Sequence, residues 1–205
     1  MRQLVLATHN LNKAREIEAL LRDLPTKLVR LDQFPHVGKI EEDQDTLEEN
    51  ALKKAREVFK LTTLPSLADD SGLEVYFLNG EPGVHSSRYA GPRASDEENC
   101  KKLLAQLQGV PPRRRAARFG CVLALVGPDM EEVAEGICRG IIVESPRGKG
   151  GFGYDPIFQP EGYKQTFAEM PVDLKNSLSH RAKAVEKLRP VLSSYFRQEI
   201  SKVVM

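Results

Sequence analysis

The 205-residue chain has 40% hydrophobic and 29% charged residues, a balance typical of a globular protein rather than of a disordered or membrane one. Its net charge of +1 provides no overall field for nucleic acid or a membrane surface, so neither is predicted as a partner. Three scattered cysteines and the short apolar run near the N-terminus predict a reduced, cytoplasmic protein without a signal peptide.

Strands and helices are predicted to alternate along the first part of the chain. The run QLVLAT predicts a strand, and KAREIEALLRDL carries apolar residues at helical spacing before Pro25. TKLVRL predicts a second strand. DTLEENALKKAREVF predicts an amphipathic helix that opens with Thr46 and Glu49 at capping-box spacing. A pair of strands is expected on either side of a turn at DDSG.

The second part of the chain continues this alternation. SDEENCKKLLAQL predicts a helix with a capping box of Ser95 and Glu98, and ARFGCVLALV and EVAEGICRGIIV predict a hairpin around GPDM. The final segment is helical in pattern, and Pro190 is expected to kink it or to start a new helix. Without repeats or an obvious linker, the sequence predicts one α/β domain over residues 1–205 with a mixed sheet.

The stretch ATHNLNK, residues 7–13, lies where a strand gives way to a helix, which is a common place for phosphate binding. Asn10 and Asn12 can supply amide donors, and Lys13 can supply a cation. A plain asparagine helix cap beside a solvated lysine is the alternative interpretation.

The stretch ADDSGLEV contains two adjacent carboxylates, Asp69 and Asp70. Neighbours in a strand face opposite ways, so the two cannot share one site if the strand continues. One is expected to anchor the turn through backbone amides, and the other to hold a hard cation such as Mg²⁺ or to orient water. A plain Asx turn is the alternative.

Two later stretches are also candidates for binding. SPRGKGGFGYDP is rich in glycine and carries Phe152 and Tyr154, which as exposed aromatics would suit stacking on a base; aromatics that plug the core are the alternative. KNSLSHRAK places His180 and Arg181 at a predicted helix start, and a solvated basic helix start is the alternative.

Taken in order, seven blocks resemble the inosine triphosphate pyrophosphatase family: VLATHNLNKAREI, TLEENALKKA, ADDSGLEV, GEPGVHSSRYAG, GKGGFGYDPIF, TFAEM and KNSLSHRAKA. The resemblance covers residues 5–184. It implies an elongated mixed α/β fold of two lobes with a substrate cleft between them, and a homodimer. It also implies Mg²⁺-dependent hydrolysis of deaminated purine nucleoside triphosphates (ITP, dITP and XTP) to the monophosphate and pyrophosphate, which keeps such bases out of DNA and RNA.

The resemblance also assigns site residues. Asp70 would be the catalytic residue and a metal ligand, and the acidic run KIEEDQD would supply a second ligand, either Glu41 or Glu42, with Glu42 slightly favoured. The substrate-binding residues implied in this way are Thr8, His9, Asn10, Lys13, Ser71, Phe152, Gly153, Tyr154, Asp155, Lys175, His180 and Arg181. Phe152 would stack on the purine, while His180 and Arg181 would donate to its 6-keto oxygen.

Rival functions remain open at this point. The run PPRRRAAR, residues 111–118, has four arginines and could bind nucleic acid, although a solvated loop is the plainer interpretation. A pyrophosphatase of the septum-formation-inhibitor type, which acts on modified pyrimidine triphosphates, is a second rival. A nucleotide binder that has lost catalysis is a third, but Asp70, Lys13 and the SHR tripeptide are intact.

Overall fold

A computed structural model of the chain describes residues 2–197. Helices and strands alternate along this part of the chain. The strands are β1 (Gln3–Leu6), β2 (Lys27–Arg30), β3 (Ser66–Val75), β4 (Pro82–Gly83), β5 (Ala116–Gly127), β6 (Met130–Ile142) and β7 (Phe158–Pro160). The helices are α1 (Leu11–Leu20), α2 (Leu47–Thr62), α3 (Asp96–Gln106), α4 (Val172–Leu178) and α5 (His180–Arg197). The α/β class predicted from the sequence is confirmed.

The strands form one mixed sheet in the order β2-β1-β3-β5-β6-β7, with β4 paired to β3. Strand β1 runs parallel to β2 and to β3, with Leu4 opposite Leu28 and Val5 opposite Ser66. The pairings of β3 with β4 and of β6 with β7 are antiparallel. The predicted hairpin around GPDM is confirmed by β5 and β6, and Asp129 takes a left-handed φ of 54° in its turn.

The chain divides into two compact units, and strands β3, β5 and β6 each contribute residues to both. The described part of the first unit comprises residues 2–70, 121–136 and 181–197. Two apolar clusters build its core. One joins α1, β1, β5 and α5 around Ile17 and Leu123, and the other joins β1, β5 and α2 around Val58.

The second unit comprises residues 71–120 and 137–180. Its core packs α3 and the neighbouring strands around Leu103 and three phenylalanine rings. Phe119 meets Phe158 edge-on, with ring centroids 4.7 Å apart. The helix α3 begins at the predicted capping box, because Ser95 accepts from the Glu98 N–H and the Glu98 side chain accepts from the Ser95 N–H.

One local prediction is wrong, and one of the two alternatives at a second position is excluded. The DDSG stretch is not a turn, because β3 runs unbroken from Ser66 to Val75 and is buried along most of its length. Pro190 does not start a new helix, because α5 continues through it from His180 to Arg197. Packing of the apolar face of α5 against the first unit's core supports the helix on both sides of the proline.

No helix within residues 2–197 has the length and apolar character needed to cross a membrane.

Candidate functional site

The two adjacent carboxylates of β3 face different charged neighbours, as the alternation of a continuous strand requires. Asp69 is fully buried and lies between two cations of the first unit. The Lys13 Nζ is 2.9 Å from its Oδ1, and Arg181 donates to its Oδ2 from Nε at 3.0 Å and from Nη2 at 2.9 Å. Arg181 Nη1 also donates to the Glu16 carboxylate. Asp69 therefore anchors side chains rather than a turn.

These neighbours decide the charge of Asp69. Burial alone would raise the pKa of its carboxyl, but the positive charges of Lys13 and Arg181 outweigh burial and hold the pKa well below its usual range. The same contacts act in the other direction on the cations. Burial would lower the pKa of Lys13, and the carboxylates of Asp69 and Asp70 raise it above the ordinary value. The result is a buried, fully ionised cluster.

Asp70 lies in a second cluster of the first unit, where two carboxylates share one lysine. The Lys54 Nζ donates to Glu42 Oε1 at 2.5 Å and to Asp70 Oδ1 at 3.2 Å, and it also reaches the Asp69 carbonyl at 2.6 Å. Burial raises the pKa of Asp70 to about 6, although Lys54 and Lys13 oppose that rise. Burial would also raise the pKa of Glu42, but Lys54 and Lys13 hold it below the ordinary value.

The structure separates Glu41 from Glu42, which the sequence could not. Glu42 is half-buried and belongs to the cluster around Lys54, whereas the Glu41 side chain is exposed. Sequence reasoning missed Lys54 itself. The signal was present, because Lys54 lies on the apolar face of α2, three residues after Ala51 and four before Val58, where a lysine needs a partner.

The stretch ATHNLNK follows β1 and includes the start of α1, and the alternative interpretation of a helix cap is confirmed for Asn10. Its Oδ1 accepts from the N–H groups of Asn12 and Lys13. Thr8 Oγ1 accepts from the Asn10 N–H, and His9 lies 3.4 Å from the Gly38 carbonyl through its Nε2. The cap orients the helix that carries Lys13 towards Asp69.

In the second unit, the glycine-rich stretch folds around the carboxylate of Asp155. Its Oδ2 accepts from the Phe152 N–H at 2.9 Å and from Lys175 Nζ at 2.5 Å. The same ammonium lies 4.9 Å from the centroid of the Phe152 ring, within cation–π range. Gly151 allows this close folding: its φ is +71°, and a Cβ there would lie 2.0 Å from the Asp155 carboxylate.

For Tyr154, the alternative interpretation of an aromatic that plugs the core is confirmed. Tyr154 is buried in the second unit's core, and its hydroxyl donates to the Ser86 carbonyl at 2.8 Å. Its neighbour Phe152 is half-buried, so it keeps an accessible ring that could stack on a ligand. Gly153 lies between the two with a left-handed φ of +61°, and Ser71 is half-buried in β3.

His180 and Arg181 begin α5 and are both buried, so they are not a solvated helix start. The imidazole of His180 stacks on the Phe119 ring within the second unit, with centroids 4.6 Å apart and planes at 12°. Arg181 belongs to the first unit, where three of its nitrogens donate to the carboxylates of Asp69 and Glu16. A guanidinium held in this way is suited to fixing Asp69.

The donor set around Lys54 fits a hard divalent cation. Mg²⁺ prefers carboxylate oxygens and is usually held by one or two carboxylates together with water and substrate phosphates. Glu42 and Asp70 supply two such carboxylates, whose Oε1 and Oδ1 lie 2.5 Å and 3.2 Å from the same Lys54 Nζ. Among residues 2–197, no group of three or more acidic, histidine or cysteine side chains is arranged to hold a metal by itself.

A family model, related sequences and solved structures all match this chain and agree with one another. The Ham1 family model matches residues 4–191. A dITP/XTP pyrophosphatase of Geobacter sulfurreducens is 50% identical over 92% of this chain and 96% of its own, and one of Desulforamulus reducens is 46% identical over 97% and 100%. A HAM1 protein from Coxiella burnetii superposes with a TM-score of 0.86 at 45% identity, covering 95% of this chain and all of the other.

Proposed function

The chain belongs to the Ham1 family, and we propose that it hydrolyses deaminated purine nucleoside triphosphates, such as ITP, dITP and XTP, to the monophosphate and pyrophosphate. Relatives named dITP/XTP pyrophosphatase match it over nearly the full length of both chains, which supports this activity. Removal of such triphosphates keeps deaminated bases out of newly made DNA and RNA.

The observation that carries the proposal is the pair of charge clusters in the first unit. A triphosphate is strongly negative and is bound in proteins by cations and by Mg²⁺ held on carboxylates. Lys13 and Lys54 are the cations, and Glu42 and Asp70 are the carboxylates. In this proposal Lys13 offsets phosphate charge, while Thr8, His9, Asn10 and Ser71 lie among the residues that contact the substrate.

The proposed cation is Mg²⁺, held by Glu42 and Asp70. When bound, it lowers the pKa of its water and stabilises charge on the leaving pyrophosphate. Asp70 orients the attacking water through its carboxylate. Lys54 keeps the two carboxylates close together before substrate arrives, so that the oxygens are already in place.

Recognition of the base is proposed for residues of the glycine-rich stretch and its neighbours in the second unit. Phe152 stacks on the purine. Asp155 holds the Phe152 backbone N–H, and the Lys175 ammonium lies against the Phe152 ring. His180 offers an imidazole N–H to the 6-keto oxygen. Adenine carries a donor at that position, so a donor in the site would reject it. Gly153 contributes its backbone to this site. Tyr154 supports the site from the core, where its hydroxyl donates to the Ser86 carbonyl.

Arg181 provides a sharp test of base recognition. If the guanidinium donated to the 6-keto oxygen, Arg181→Ala would lower kcat/KM for ITP far more than for ATP. The ratio of the two kcat/KM values would then fall by roughly 10- to 150-fold. Because the guanidinium already binds Asp69 and Glu16, we expect instead that both substrates lose activity to a similar extent. The measurement is kcat/KM for ITP and ATP, with Lys183→Ala on the same helix as the comparison variant.

The function itself is tested by a substrate panel. The chain is incubated with ITP, XTP, GTP, ATP and dUTP plus Mg²⁺, and pyrophosphate and phosphate are assayed separately. We expect pyrophosphate from ITP and XTP, little product from the others, and no turnover in excess EDTA. Release of phosphate alone, or preference for a pyrimidine triphosphate, would contradict the proposal.

The remaining expectations from the resemblance also belong to the proposal. The protein is proposed to act as a cytoplasmic homodimer, and its three cysteines are reduced in the structure. Light scattering after size-exclusion chromatography measures the oligomeric state directly. Nucleic acid is not a proposed partner, because Arg115 in the arginine run is buried and donates to backbone carbonyls.

A further inference from the structure

Helix α3 grips the glycine-rich stretch at Gly153, the residue directly after Phe152. The Gly153 N–H donates to Asp96 Oδ2 at 2.7 Å, and its carbonyl accepts from the Cys100 thiol at 3.4 Å. Asp96 and Cys100 are four residues apart on α3 and therefore lie on the same face of the helix. One face of one helix thus holds both polar groups of a single glycine.

The contacts of α3 with Gly153 are separate from those made by Asp155. On the N-terminal side of Gly153, the Phe152 N–H donates to the Asp155 carboxylate, which Lys175 holds in place. The helix α3 instead contacts the N–H and the carbonyl of Gly153, which belong to the next two peptide groups along the chain. Gly153 has a left-handed φ of +61°, a conformation that glycine adopts without steric cost and that local sequence alone does not fix. The contacts of Asp155 and Asp96 thus hold the peptide groups on either side of the Phe152 Cα.

We propose that Asp96 and Cys100 are positioning residues for base recognition, holding Gly153 so that the Phe152 ring is ready to stack on the purine. The purine as ligand rests on the proposed function, but the two contacts of Asp96 and Cys100 with Gly153, called the clamp below, do not. The Asp96 contact is the stronger of the two, because a carboxylate oxygen 2.7 Å from an N–H is a good acceptor, whereas a thiol is a weak donor. Loss of Asp96 should therefore matter more than loss of Cys100.

The clamp can be tested without any activity assay. The chain has no tryptophan, so Phe152→Trp introduces a single fluorescent reporter at the ring in question. In that background, Asp96→Ala should raise acrylamide quenching of the indole by roughly twofold, and Asp96→Asn, which keeps an acceptor, should restore most of the protection. Glu97→Ala is the matched control, because Glu97 is an exposed acid in the same helical turn. Equal quenching in the Asp96 and Glu97 variants would overturn the clamp.

The effect on recognition is measured in chains that keep Phe152. Asp96→Ala should raise KM for ITP and XTP by about three- to tenfold with kcat within about twofold, since a misplaced ring weakens binding more than chemistry. Cys100→Ala should raise KM less, and Glu97→Ala should leave it unchanged. A lower kcat with unchanged KM would overturn the positioning role. If the parent chain turned over no purine triphosphate, the proposed function would fail, and the quenching result would still decide the clamp.

Discussion

At the scale of single residues, Asp69 and Asp70 share a strand and differ in charge behaviour because their neighbours differ. Asp69 faces Lys13 and Arg181, and its pKa is held low; Asp70 shares one lysine with Glu42, and its pKa is raised. The sequence predicted that the two would face apart if the strand continued, and that is confirmed. It could not predict Arg181 as a partner of Asp69, because 112 residues separate them.

Asp70→Asn should lower turnover without destabilising the fold. The substitution keeps the shape of the side chain and removes the charge needed to hold Mg²⁺, so we expect a loss of at least about 100-fold in kcat for ITP. Lys54 retains Glu42 and the Asp69 carbonyl, and burial of a charge is relieved, so the melting temperature should stay level or rise. Steady-state kinetics and a thermal melt measure both. An active variant would remove Asp70 from the proposed chemistry.

Asp69→Asn, in contrast, should destabilise the fold. It leaves the charges of Lys13 and Arg181 buried with their main partner neutralised, and breaking a buried ion pair costs about 3–5 kcal/mol. For a chain of this size, that corresponds to a fall of roughly 6–20 °C in melting temperature. Differential scanning calorimetry of the two asparagine variants side by side provides the comparison. A fully stable Asp69→Asn protein would contradict the anchoring role of Asp69.

At the scale of elements, Arg115 fixes the end of α3. Its guanidinium is buried and donates to the carbonyls of Leu107, Ile142 and Val143, and so joins the C-terminal end of the helix to the end of β6. Burial lowers the pKa of this arginine. The interpretation of PPRRRAAR as a solvated loop is wrong for Arg115. Composition shows a charge run, but it does not show which member turns inward.

Arg115→Met should therefore destabilise the fold. Three backbone carbonyls, two of them in buried contacts, would lose a charged donor, at a cost of about 3 kcal/mol or more in the free energy of unfolding. Arg113→Met is the control, because Arg113 is exposed on the same short segment and should change stability by no more than about 0.5 kcal/mol. Urea unfolding of both variants measures the difference. Equal effects would mean that Arg115 is as dispensable as its neighbour.

At the scale of the whole molecule, the elements were easier to predict than the contacts between distant side chains. Apolar periodicity predicted β1, β2, β5, β6 and the helices α1, α2, α3 and α5, and a capping box marked the start of α3 correctly, because those signals are local. The short strands β4 and β7 and the helix α4 were not predicted. Lys54 was missed, and the choice between an exposed and a core position stayed open for Tyr154, because their environments are made by residues far along the chain. The prediction of a turn at DDSG rests on the preference of Asp, Ser and Gly for turns, and the place of β3 inside the sheet, where it is buried along most of its length, overrides that preference.

The charge of Asp70 couples the stability of the whole fold to pH and to Mg²⁺. A carboxyl whose folded pKa is raised from 3.8 to about 6 holds its proton more tightly in the folded state, so it stabilises the fold at low pH. That contribution is lost as pH rises through about 6. A cation bound by Glu42 and Asp70 would replace the proton, and it would bind best once Asp70 is ionised.

We therefore expect millimolar Mg²⁺ to raise the melting temperature more at pH 8 than at pH 5. Binding to the folded state alone adds about 2.7 kcal/mol of stability at 100 times the dissociation constant, a shift of several degrees for a chain of this size. The measurement is a set of thermal melts in EDTA and in Mg²⁺ at both pH values. Asp70→Asn should lose the Mg²⁺-dependent shift at pH 8, while Glu41→Gln, outside the cluster, should retain it. A shift of equal size at both pH values and in Asp70→Asn would place the cation elsewhere, because binding would then be independent of the one carboxylate whose ionisation changes across that range.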